Sequence, residues 1–92
     1  MIRRRLVVSG RVQGVFFRDW TVEQARALGL DGWVRNRADG SVEAVIAGAP
    51  ETVAAMIDRV RQGSPASRVD DVAVSDDVSD EAFDGFEKRP TR

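Results

Sequence analysis

The chain has 92 residues, with 14 basic and 15 acidic side chains, a net charge of −1, and neither cysteine nor histidine. Without cysteine there can be no disulfide, iron–sulfur cluster or thiolate zinc site. Without histidine the commonest general base and any serine–histidine catalysis are excluded.

The chain opens on Arg3-Arg4-Arg5, but only Leu6-Val7-Val8 follows before Ser9 and Gly10. A secretory signal needs an apolar run of about 7–15 residues, so a signal peptide is not expected, and no segment is apolar enough to span a membrane. A cytoplasmic location is the corresponding expectation. The length suits one domain over residues 1–92.

The first strand is expected over Ile2–Ser9, followed by a glycine-bearing loop at 10–18 and a helix over Asp19–Leu28. Val22, Ala25 and Leu28 share a face there, and Gly29 stands where a left-handed helix terminus belongs. Leu30–Asn36 reads as a strand, Ala38-Asp39-Gly40 as a hairpin turn, and Ser41–Ala47 as a strand with Val42, Ala44 and Ile46 on one face. Pro50 and Glu51 open a second helix whose stripe is Val53, Met56, Ile57 and Val60, stopped by Gly63 and Pro65. A strand is expected over Val69–Val78, with Val72 and Val74 to one side. Phe83–Arg89 offers a short edge strand. The acids between them (Asp76, Asp77, Asp80, Glu81 and Asp84) have no metal-loop spacing and read as a solvated turn. This order, βαββαβ with an optional fifth strand, describes an α+β fold: a ferredoxin-like two-layer sandwich with two helices on one face of an antiparallel sheet. Such a fold does not decide function.

The chemistry concentrates at Gly10-Arg11-Val12-Gln13-Gly14-Val15-Phe16-Phe17-Arg18. A glycine turn between a strand and a helix leaves backbone N–H groups pointing one way, an anion-binding geometry. Arg18 adds a fork of donors matched to phosphate. At a helix start an arginine opposes the dipole, a cost that an anion relieves; pairing with Asp19 or Glu23 is the alternative. Residues 1–48 carry eight arginines against five acids, and residues 49–92 six basic groups against ten acids, so the half with the loop is the positive one. The loop is neither a Walker A motif nor a dinucleotide fingerprint. Asn36 is the second candidate: its amide can hold a water and a developing negative charge, or serve only as a turn asparagine bonded to its own backbone.

Together the two segments resemble the acylphosphatase family. The loop from Gly10 to Arg18 is similar to that family's first signature. Gly32-Trp33-Val34-Arg35-Asn36, with Asp39-Gly40-Ser41-Val42-Glu43 and Gly48, is similar to the second. Gly63-Ser64-Pro65-Ala66-Ser67-Arg68-Val69 agrees as well, and the likeness runs from about Leu6 to Phe86. It implies a hydrolase that splits acyl phosphates into a carboxylate and inorganic phosphate, without metal or cofactor. By that resemblance Arg18 and the amides of Gly14, Val15, Phe16 and Phe17 bind the phosphoryl group, and Asn36 positions the attacking water. It also implies a monomer whose ligands are acyl phosphate and inorganic phosphate, with no nucleic acid or membrane partner. The tail Phe86-Glu87-Lys88-Arg89-Pro90 departs from the family in being more polar, which leaves the fifth strand open. A non-catalytic anion-binding module of the same fold is the alternative. An RNA-binding sheet would need surface aromatics and a basic face that this chain does not offer.

Overall fold

Seven elements follow one another: β1 (Ile2–Arg11), α1 (Phe17–Ala27), β2 (Asp31–Asn36), β3 (Val42–Gly48), α2 (Pro50–Gln62), β4 (Arg68–Asp76) and β5 (Phe86–Lys88). They come from a computed structural model that describes all 92 residues. The strands form one sheet in the order β4-β1-β3-β2-β5. β1 pairs antiparallel with β3 and β4, and β2 pairs antiparallel with β3. The fifth strand does form, but parallel to β2. The sheet is therefore mixed rather than antiparallel throughout, because the chain must cross from one edge to the other to reach β5, which no hairpin can do.

One face carries the core. Leu6 and Val8 of β1, Val34 of β2, and Val42, Ala44 and Ile46 of β3 meet Phe17 and Ala25 of α1 and Val53, Met56 and Val60 of α2. Helix α2 follows its expected stripe, with Pro50 in its first turn and Gly63 ending it at φ +79°. Helix α1 begins two residues earlier than expected, because the Trp20 N–H donates to the Phe16 carbonyl at 3.0 Å. Its buried residues are Phe17, Thr21 and Ala25. Val22 and Leu28 flank the core, so the stripe is rotated from Val22–Ala25–Leu28. β1 also runs past Ser9, through a bulge at Ser9 and Gly10. Gly10 has φ +125°, and a Cβ there would meet the Arg68 carbonyl oxygen. This glycine serves the close approach of β1 to β4, not the anion loop.

β3 does not alternate between buried and exposed; all seven of its residues are buried. Its second face is covered too. Glu43, only 5% exposed, takes Arg5 Nε at 2.6 Å and Arg35 Nη2 at 2.7 Å. Phe83 of the connection from β4 to β5, and Arg89 after β5, add further contacts on this side. The Arg3 guanidinium lies 4.4 Å from the Phe83 ring centroid, and Arg35 and Arg89 stack on Trp33 at 4.5 and 5.1 Å. The acids expected to be merely solvated are partly ion-paired: Asp76 with Arg4, Asp77 with Arg3, and Glu81 with Arg89. β4 accordingly ends at Asp76 and β5 shrinks to Phe86–Lys88. No helix is long and apolar enough to cross a membrane.

Burial alone would raise the Glu43 carboxyl, but hydrogen bonds and charge from Arg35 and Arg5 hold it below its ordinary value of 4.5. The unfolded chain therefore takes up this proton at higher pH than the folded chain does. The resulting stability is present above about pH 4.5 and is lost as pH falls through the lowered folded value. Glu43→Gln should lower stability at pH 7 and flatten the acid limb, as read from urea midpoints between pH 7 and pH 3. An unchanged acid limb would contradict this account.

Candidate active site

The turn after β1 is pinned at both ends by the core, Val12 being 1% exposed and Phe17 2%. Between them, Gly14 has φ +72° with open space around its Cα. Phe16 sits at φ 61°, ψ 24°, the one non-glycine residue of the chain in the left-handed region. Its ring is 80% exposed, so packing does not explain the conformation. What the turn achieves is visible in the donors. No backbone N–H from Val12 to Asp19 donates to a carbonyl oxygen of the protein. A run of unpaired N–H groups leading into a helix start is a concave cradle for an anion.

Arg18, half-buried in the first turn of α1, has no carboxylate in ion-pair range. Asp19 is taken by Lys88, whose Nζ lies 2.8 Å from Asp19 Oδ1, and Glu23 makes no ion pair. Arg18 instead lines a cavity of about 360 Å³ with Gly14, Phe16, Phe17, Asp19 and Lys88. Val15 turns to the core and does not line it.

Asn36 lies outside this lining, at the end of β2, opposite Val42 and on the helix-facing side with Val34. It is 9% exposed, and its Oδ1 is buried with no hydrogen-bond partner in the protein. It is not the turn asparagine of the hairpin. That work falls to Asp39, whose Oδ1 accepts from the Ser41 N–H at 2.9 Å and the Ser41 hydroxyl at 2.6 Å. A buried, unpartnered amide oxygen costs stability unless something completes it.

The link between loop and hairpin is Gln13. Its Nε2 donates to the carbonyls of Arg37 and Ser41, both at 2.8 Å. Gln13 stands within the loop motif, but the motif by itself assigns it no task. The available signal was its chemistry, since a side-chain amide carries two donors. Lys88 carries no comparable signal, because a three-residue edge strand shows little periodicity. No group of acids converges as metal ligands.

A family model described as acylphosphatase matches residues 4–88. The chain belongs to the acylphosphatase family. As a member it is by class a hydrolase. It is 63% identical over 90 residues to an acylphosphatase of Rhizorhabdus wittichii, covering 98% of this chain and 90% of the relative. An acylphosphatase structure from Bacillus subtilis superposes with a TM-score of 0.91 at 38% identity, covering 97% of this chain and 99% of that one. One from Coxiella burnetii gives 0.89 at 34% identity, covering 96% and 92%. The acylphosphatase fold thus includes the fifth strand in spite of the polar tail.

The left-handed backbone at Phe16 costs about 1–2 kcal/mol for a residue with a Cβ, against about 0.5–1 kcal/mol of extra chain entropy for glycine. Phe16→Gly should therefore stabilise this acylphosphatase by about 0.5–1 kcal/mol, read as a higher urea midpoint at unchanged m-value. A lower midpoint would show that the exposed ring contributes packing.

Proposed function

We propose that the chain hydrolyses acyl phosphates by direct attack of water, as a monomer of one domain over residues 1–92. Arg18 and the amides of Gly14, Val15, Phe16 and Phe17 bind the phosphoryl group, and Asn36 holds the nucleophile. The observation that carries this reading is the unbroken series of unpaired N–H groups from Val12 to Asp19, closed by an arginine without a carboxylate partner. The unpartnered Asn36 Oδ1 supports the second role.

In this mechanism the water oxygen forms a bond to phosphorus as the bond from phosphorus to the acyl oxygen breaks. The leaving carboxylate takes the bonding pair, and the water's proton passes to a phosphoryl oxygen or to solvent. Phosphoryl transfer of this kind depends on positioning and charge stabilisation more than on covalent help. An acyl phosphate has a good leaving group, so the lack of histidine is no obstacle. The cradle supplies fixed dipoles aimed at the equatorial oxygens, and Arg18 supplies a charge-assisted fork. The carboxamide of Asn36 offers a donor and an acceptor, enough to orient one water.

The test is benzoyl phosphate hydrolysis in EDTA by wild type and two variants. Arg18→Ala should lose at least about 10²–10³ in turnover. Asn36→Ala should lower kcat while leaving competitive inhibition by inorganic phosphate nearly unchanged. A folded wild type that binds phosphate without turning over substrate would instead mark a non-catalytic anion-binding module. Weaker phosphate inhibition with unchanged kcat in Asn36→Ala would remove the water-positioning role.

A further inference from the structure

The phosphoryl cradle does not account for Lys88. β5 runs parallel to β2 with Gly32 opposite Phe86 and Val34 opposite Lys88. Phe86 is buried in the core among the helix-facing residues. Side chains two apart on a strand share a face, so Lys88 leaves β5 on that same side, one step beyond the core. Asn36 is the next residue on this face of β2 after Val34. The lysine stem therefore emerges beside the strand end that carries the proposed water-holding amide. Its ammonium reaches α1, where it meets Asp19 at 2.8 Å.

That ion pair borders two spaces. On one side is the 360 Å³ cavity with Gly14, Phe16 and Arg18. On the other is an open groove of about 520 Å³ whose lining includes Val22, Glu23 and Arg26 of α1. Both Asp19 and Lys88 line both spaces. A phosphoryl group held by Arg18 and the loop amides would leave its acyl chain outside the cradle, and Lys88 is the other cation lining this cavity. The pair is a weak one: the lysine side chain is 44% exposed and the aspartate 57%. Exposed pairs contribute little to stability, so a substrate anion can replace Asp19 on the ammonium at small cost.

We propose that Lys88 is a specificity-determining residue that binds a second anionic group, a carboxylate or phosphate, carried on the acyl portion of the substrate. The preferred substrates are then acyl phosphates of acids bearing a further negative charge, with Asp19 holding the ammonium in place until that group arrives. This rests on the acyl phosphate reading above and adds no covalent step to it. The family resemblance does not supply it, since the polar tail is where this chain departs from the family pattern.

The experiment compares kcat/KM for benzoyl phosphate, 3-carboxybenzoyl phosphate and 3-phosphonooxybenzoyl phosphate, the last two separating the carboxylate from the phosphate. The readout is the ratio of each charged substrate to benzoyl phosphate. Lys88→Met should reduce that ratio about fivefold to tenfold, as for loss of a partly screened charge-assisted contact. Lys88→Arg should keep most of it. Asp19→Asn should raise it, because the competing carboxylate is gone. If the Asp19–Lys88 pair only ties β5 to α1, Lys88→Met and Asp19→Asn will both lower the urea midpoint and leave the ratios at wild-type values, which overturns the proposal. A wild type active on benzoyl phosphate but indifferent to the added charge overturns it while leaving the acyl phosphate reading intact. A folded wild type inactive on all three overturns both.

Discussion

One side chain holds the two halves of the candidate site in register. The loop follows β1 and Asn36 ends β2, but β3 lies between those strands. Two strand spacings amount to about 9–10 Å, too far for the loop to touch Asn36 through sheet pairing. Gln13 spans the gap with a single amide, donating to Arg37 just after β2 and to Ser41 just before β3. The hairpin is stiffened from within by Asp39 and Ser41. The end of the chain adds a further tie, with the Arg92 N–H on the Asn36 carbonyl at 3.0 Å. The backbone at Asn36 is thus held from both sides while its side-chain oxygen stays unpartnered.

The unfavourable features of the molecule gather in the same place. They are a left-handed phenylalanine, a run of N–H groups without acceptors, an arginine at a helix start and a buried amide oxygen without a donor. The left-handed phenylalanine and the buried amide oxygen each cost free energy, and the arginine opposes the helix dipole. The core carries that cost, with Val12 and Phe17 fastening both ends of the loop into it. Departures from local rules are expected where function requires them.

Charge is arranged by the same logic. Several arginines of the basic first half are paired within the fold. Arg3 and Arg4 meet Asp77 and Asp76, while Arg5 and Arg35 share Glu43 on the second face of the sheet. Arg18 keeps no carboxylate of its own, and Lys88 is held only by an exposed partner.

Read alone, the residues determined the element order, the stripe of α2, the hairpin at Asp39-Gly40 and the two segments that carry Arg18 and Asn36, because periodicity, turn residues and signature spacing are local properties. Only the tertiary structure decided what depends on chain segments far apart. Arg18 has no carboxylate within ion-pair distance, while Asp19 pairs with Lys88, 69 residues away. Asn36 is freed from turn duty because Asp39 performs it. β3 is buried on both faces because arginines from β1 and β2 close over Glu43 and the last connection crosses to β5. Gly10 belongs to the pairing of β1 with β4, which no reading of the loop could reveal. These outcomes depend on contacts between residues far apart in the chain, and linear spacing does not encode them.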